Sequence, residues 1–249
     1  MDEQNLIQVA NTKFDDFRAV HDRMQRDADL FNSRPYVLTD VNGHQIPNAI
    51  SVTLNDVPTF AWRVETALNS AIEVVSVQAK NKRFDTSYIE DFIRAVWFEI
   101  DVMLANKDLF PFNPFIDQQT CRRGRAAARC AFQIKDGKLI TDMMPYDAKH
   151  FVYWIDKEGM AGTAYRTSRA GYQVKGEYPD YEIPVNERPN LDINMDVTDI
   201  WTRTKNEVYI YNGTVIDQSN PYGELNVVHH RVPMGSMLLD SDALYKQGE

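Results

Sequence analysis

The sequence predicts an α+β fold, with a helical N-terminal half packed with an antiparallel β-rich C-terminal half, and three observations lead there. Apolar residues recur at steps of three and four through the first 130 residues, and beyond that the pattern turns to short β-branched and aromatic runs separated by turn dipeptides. The composition is that of an ordinary globular protein, 249 residues with 43% hydrophobic and 25% charged residues. A chain of this length buries roughly 70% of the surface its unfolded form exposes, so it needs no staples. The expected division is residues 1–130, mainly helical, and 131–249, β-rich, sharing one core because the joining stretch 109–117 is too apolar for an exposed linker.

The elements follow in order. Phe14, Phe17, Val20, Met24, Ala28 and Phe31 form one stripe of a first helix, with Thr12 as its N-cap. Pro35, Asn42-Gly43 and Pro47 punctuate residues 34–55, predicting a loop with one or two short strands. A second helix starts near Asp56 and keeps Val57, Phe60, Val64, Leu68, Ala71 and Val75 on its core side. Ser87 and Glu90 predict a capping box at the head of a third helix, whose stripe is Ile89, Phe92, Val96, Ile100 and Met103, packed against the second. Pro111 and Pro114 break the helical pattern in LFPFNPFID. Asp136-Gly137 predicts a hairpin in FQIKDGKLI, since glycine adopts positive φ at little cost. FVYWI and AYRTSR flank DKEGMAG in the same way, and Asn212-Gly213 does so within EVYIYNGTVID. Between these hairpins the acid-rich, proline-rich residues 177–196 read as an extended connector.

Chemistry is sparse. The net charge of −9 disfavours a dedicated DNA reader unless bases cluster, and they cluster only in CRRGRAAARC, residues 121–130. As a metal site that stretch fails: two cysteines nine residues apart match no short zinc spacing and, on a helix, fall on opposite sides. As a helix it places Arg122, Arg125 and Arg129 on one face, a basic stripe for phosphates or for carboxylates of this chain or a neighbouring subunit. Because acids outnumber bases 36 to 27, protein carboxylates are the nearer partners. His229-His230 points to opposite faces if ELNVVHHRV is a strand, and Asp15-Asp16 and Glu90-Asp91 read as solvated or capping acids on helices. No phosphate loop, dinucleotide fingerprint, zinc-protease motif or nucleophile elbow occurs, so no catalytic, cofactor or metal residue is assigned. The N-terminus lacks the basic and apolar regions of a secretion signal, no run is long enough to span a membrane, and two cysteines make no disulfide framework. The aromatic runs HFVYWI, DIWT and VYIY fit cross-strand packing.

Read as an ordered series, ISVTLNDVPTFAWRV at 50–64, CRRGRAAARC, MMPYDAKHFVYWIDKEG, EYP at 177–179, TDIWT at 198–202, EVYIYNGTVID and NPYGELNVVHHRV resemble the first half of the portal proteins of tailed bacteriophages. The resemblance covers most of the chain and rests on the series, since none of these stretches is a catalytic signature. It implies a wing-like α+β fold and a non-enzymatic structural subunit of the virion, assembled in the host cytoplasm. The implied ring, commonly of twelve copies, occupies one vertex of the head and lets DNA pass without sequence recognition during packaging and ejection. Implied partners are further copies of itself, the terminase motor, the major capsid protein or scaffold, and a head–tail adaptor; no cofactor and no membrane are implied. Family members are usually longer, and their stem, clip and crown have no counterpart here, so LLDSDALYKQGE reads as the opening of a further helix in an N-terminal wing fragment. On this reading Arg122, Arg125 and Arg129 meet acids of an adjoining copy or of the stem. Two other classes remain open at this point: a phage-associated hydrolase or nuclease with scattered carboxylates, and a monomeric aromatic-lined binding module.

Overall fold

The computed structural model describes residues 5–34, 37–48, 54–71, 74–80, 85–182, 193–211 and 213–232. Pro35, residues 50–53 of the first resembling run, most of the expected connector (183–192), Asn212 and the LLDSDALYKQGE segment lie outside them. The fold is α+β, with helices first and antiparallel strands after. Contacts divide the described residues into two units: those within 20–125 together with 231–232, and those within 5–19 together with 126–230. The division by contacts falls at Arg125, where a boundary at 130 was expected, and residues 5–19 belong with the strands.

In the helical unit, α2 (Arg18–Phe31) buries Val20 and Met24, as its stripe predicts. The expected single helix is divided at Phe17, so that α1 (Leu6–Asp16) is separate, and Thr12 lies inside α1 rather than capping a helix. A bridge from Thr39 to Gln45 closes the turn at Asn42-Gly43, where Gly43 has φ 82°. α3 (Asp56–Asn69) departs from expectation: it buries Ala61 and Glu65, while Val57, Phe60 and Leu68 of the expected core stripe are exposed. α4 (Ser87–Asn106) buries Ile100 and Leu104, but Phe92 of its expected stripe is exposed. Its expected capping box does not form: Ser87 is the first helical residue and Thr86 the N-cap, and both Glu90 and Thr86 hold the incoming segment instead. Glu90 Oε1 accepts from Val77 N at 2.9 Å, and Thr86 Oγ1 donates to Val77 O at 2.9 Å. α5 (Phe112–Arg123) is the element against which both α3 and α4 pack. Pro111 is its N-cap, yet Pro114 sits in its first turn, where a missing N–H costs nothing.

Gly124 ends α5 in the left-handed region at φ 67°, and the chain then runs extended as β1 (Arg125–Lys135). The basic helix expected across residues 121–130 is thus a helix only to Arg123. Three alanines favour helix intrinsically, but Asp136 and Gly137, at φ 53° and 74°, fold β1 back onto β2 (Lys138–Tyr146) in register from Ala127↔Tyr146 to Lys135↔Lys138. β8 (Val227–Arg231) completes a three-stranded sheet on the other side of β1.

The second sheet is a meander of β3 (Phe151–Asp156), β4 (Gly159–Ala170), β5 (Asn194–Thr202), β6 (Lys205–Ile210) and β7 (Gly213–Ser219). The β3–β4 turn is Lys157-Glu158, earlier than DKEGMAG implied, and the β6–β7 hairpin closes on Ile210↔Gly213 with Tyr211 at φ 52° in its loop. Register places Phe151, Tyr165, Asp199 and Val208 in one row across β3 to β6, hence on one face. That face meets the first sheet, where Tyr146 stacks on Tyr165 at 4.0 Å between centroids. It also meets α6 (Gly171–Glu177), whose Val174 packs with Met195, Val197, Val208 and Ile210. The opposite face carries Arg166 and Thr198, and here α1 lies against the sheet: the Arg166 guanidinium sits 4.1 Å from the Phe14 ring centroid and donates to Asn11. Covering both faces explains why β6 is buried along nearly its whole length instead of alternating.

Gly162 faces Trp154 directly across the β3–β4 ladder, and the indole occupies the place a Cβ would take. Gly162→Ala is expected to lower stability by about 1–3 kcal/mol, the usual cost of overpacking, read as an earlier urea midpoint with an unchanged slope.

Candidate functional site

The four arginines of residues 121–130 are the natural place to look for function, and the structure sends each to a different place. Arg122, in the last turn of α5, forms a two-pronged pair with Glu65 of α3, its Nη2 donating to Oε2 at 2.8 Å while Nε donates to Oε1. Its guanidinium also lies 5.7 Å from the Phe31 ring centroid. The Glu65 hydrogen bonds outweigh the cost of partial burial and hold Arg122 above its ordinary basicity. Arg123 donates to the Met24 carbonyl, tying the end of α5 to the middle of α2. Arg125 is buried at the start of β1, 5% exposed. The expectation of Arg122, Arg125 and Arg129 on one helical face is corrected: Gly124 changes the backbone from helix to strand, and the periodicity that would align them is lost.

Arg129 is the centre of the strongest polar cluster. From β1 its Nη2 donates to Asp142 Oδ2 of β2 at 2.7 Å and its Nη1 to Asp199 Oδ2 of β5 at 3.0 Å, so one guanidinium ties the two sheets together. Asn206 of β6 donates to the other Asp199 oxygen at 2.8 Å. The Trp201 ring lies 6.0 Å from the guanidinium, and Tyr146 stands beside the pair. Burial works against the charge of Arg129, but Tyr146, Asp199 and Asp142 together outweigh it and keep the group firmly cationic. For Asp199 the balance is reversed: burial outweighs the attraction of Arg129, and its carboxyl is pushed above the ordinary carboxylate range. Burial likewise pushes the Tyr146 hydroxyl well up. The Trp201 indole N–H is near enough to Asp199 to favour its charge but closes no hydrogen bond of ordinary geometry.

Chemically this is a brace. A cation held between two largely buried carboxylates offers its charge to the fold and not to a ligand. Sequence reasoning did not find Glu65, Asp142 or Asp199, because they lie 57, 13 and 70 residues from their arginines and only the folded register joins them.

The remaining candidates also have local roles. His229 packs against Phe151 and Tyr153, at 5.4 and 4.6 Å between ring centroids, while His230 on the opposite face of β8 is exposed. Burial pushes the Cys121 thiol up, with Glu65 and Asp117 adding to it, and burial does the same to Cys130, so neither has the lowered pKa of a reactive thiol. Among the described residues no group of three or more His, Cys, Asp or Glu side chains is placed to hold a metal ion, and no helix is long and apolar enough to cross a membrane.

The fold and its braces define the chain as an α+β protein with two charge-pinned units. No family model matches it, and no curated protein matches it either.

Two expectations follow from the Arg129 cluster. Arg129→Ala strands Asp199 in the interior and is expected to cost about 3–5 kcal/mol, measured by chemical unfolding; a loss below about 1 kcal/mol contradicts the brace. Because the folded chain binds the Asp199 proton more tightly than the unfolded chain does, the contribution of this carboxyl to stability is full below the ordinary carboxylate pKa. It then declines as pH rises through the folded-state value. Asp199→Asn should flatten that slope in urea melts run between about pH 4 and pH 7.

Proposed function

We propose that the chain is a structural subunit that works by associating with copies of itself, the wing segment of a bacteriophage portal ring. The observation that carries this is α4. Its inward side presents Ile89, Ile93, Val96, Ile100 and Leu104, yet Tyr88, Phe92, Ala95, Phe98 and Val102, spaced by four, three, three and four, form a second apolar stripe on the opposite side. Phe92 is 51% and Phe98 68% exposed, and α3 adds exposed Val57, Phe60, Trp62 and Leu68 to the same unit. A helix apolar on both sides is ordinarily covered on both, and contiguous exposed aromatic surface marks a surface for association.

The α+β fold and the ordered series of stretches that resembles portal wings support the same reading. The charge pattern agrees as well, since Arg122 and Arg129 meet carboxylates within the chain instead of lining up as a basic stripe that would grip DNA sliding past. On this reading the ring's other partners are the terminase motor, the capsid protein or scaffold and the head–tail adaptor, and the subunit itself makes or breaks no bond.

Electron microscopy of the purified full gene product in negative stain is expected to show annuli of uniform diameter. Single particles at every concentration, or divalent-metal-dependent cleavage of DNA abolished by substituting one carboxylate, would overturn the proposal.

A further inference from the structure

The β1–β2 hairpin ends in an arm with an apolar surface. Tyr222 braces β1 at Phe132, its hydroxyl accepting from Phe132 N and donating to Phe132 O, both at 2.9 Å. Past that brace the hairpin is open to solvent: residues 132–134 and 136–140 are all exposed. Register puts Phe132, Ile134 and Leu139 on one face, with Ile134 and Leu139 directly opposite each other, and Ile140 on the other face. Ile134 is 80% exposed. Beta-branched and aromatic side chains on an unsupported hairpin tip gain nothing for the fold of a single chain, because two strands alone bury too little to hold them.

The same molecule therefore carries two unlike apolar surfaces, a projecting strand arm and the outward stripe of α4. Their charges are complementary. The turn of the arm, KDGK, has two bases to one acid in sequence, whereas Asp91 and Glu99 fall within the α4 stripe, three and eleven residues after Tyr88. Arg94 is already paired with Glu90 and Asp91, which leaves Glu99 as the acid facing outward among the aromatics. Unlike surfaces that fit each other build head-to-tail contacts, and such contacts close into rings when the rotation between copies permits. The arm past Phe132 reaches about 10–13 Å and the stripe from Tyr88 to Val102 is about 21 Å long, so the arm can lie along it.

We propose that the β1–β2 arm of one copy docks on the outward stripe of α4 in the next copy, with Ile134 and Leu139 seated among Phe92, Phe98 and Val102 and Lys138 of the hairpin beside Glu99. This rests on the self-associating reading above and assigns its contact.

The test uses the full protein with a photoreactive benzoylphenylalanine at position 134, prepared as an equal mixture of heavy-isotope and ordinary chains. The expected product joins position 134 to the peptide containing residues 88–102, with heavy and ordinary chains paired in about half of the cross-links, as random mixing of two populations requires. In parallel, Ile134→Asp with Leu139→Asp, both at exposed positions, should leave the thermal unfolding of the isolated chain unchanged while raising the concentration needed for association by about tenfold or more. Lys138→Glu should weaken association, and Glu99→Lys added to it should restore it. Rings that form normally from the doubly substituted arm, or cross-links confined to one isotope, overturn the contact while the self-associating reading stands. A wild-type protein that stays single at every concentration overturns both.

Discussion

Much of the strand-rich unit depends on one guanidinium. Arg129 reaches from β1 to Asp142 on the neighbouring strand and to Asp199 on the facing sheet, so it fixes both the register of the hairpin and the approach of the two sheets. Such a bridge is costly to bury. Taking an ion from water carries a penalty of several kcal/mol per ion, and the gain is secured only when further hydrogen bonds complete the set, as Asn206 does for Asp199. Its value to this fold is uniqueness: an alternative register of β1 would leave a cation and two carboxylates enclosed without one another. The aromatic row of Tyr146, Tyr165 and Phe151 then packs in the space that the bridge defines.

The helical unit uses the same chemistry in a less enclosed form. Glu65 is a buried carboxylate on α3 whose charge is met by Arg122 on α5, and the Arg123 contact to the Met24 carbonyl adds α2 to the same junction. These contacts consume the charge that looked available in the sequence. The unit also leaves apolar surface open, on the outer stripe of α4 and on α3, and an association surface built from such residues gains by excluding water and not by pairing long-range charge.

Periodicity and turn chemistry made the architecture legible. The helix stripes located α2, α3 and α4, and Asp136-Gly137 located the first hairpin, because positive φ at a two-residue turn is a local requirement that the sequence must meet locally. What could not be read were the facts that depend on distant chain. The stripe of Val57, Phe60 and Leu68 was periodic, but periodicity identifies an apolar face without saying whether the same chain covers it. Helix propensity across RAAAR was overruled by one glycine and a hairpin partner fifteen to nineteen residues further on. Asp199 looked like any acid in a strand until the packing of the two sheets brought it to Arg129, and Ser87 and Glu90 matched a capping box until Val77 took the Glu90 carboxylate.

The account's central claim is that the outward face of α4 is a contact surface between identical copies. Hydroxyl-radical footprinting compares it directly in dilute and concentrated samples of the full protein, reading the oxidation of Tyr88, Phe92 and Phe98. Marked protection of these three aromatics on association, with no change at Tyr172 on α6, is the predicted result. Equal oxidation of all three in the associated and single forms would contradict it.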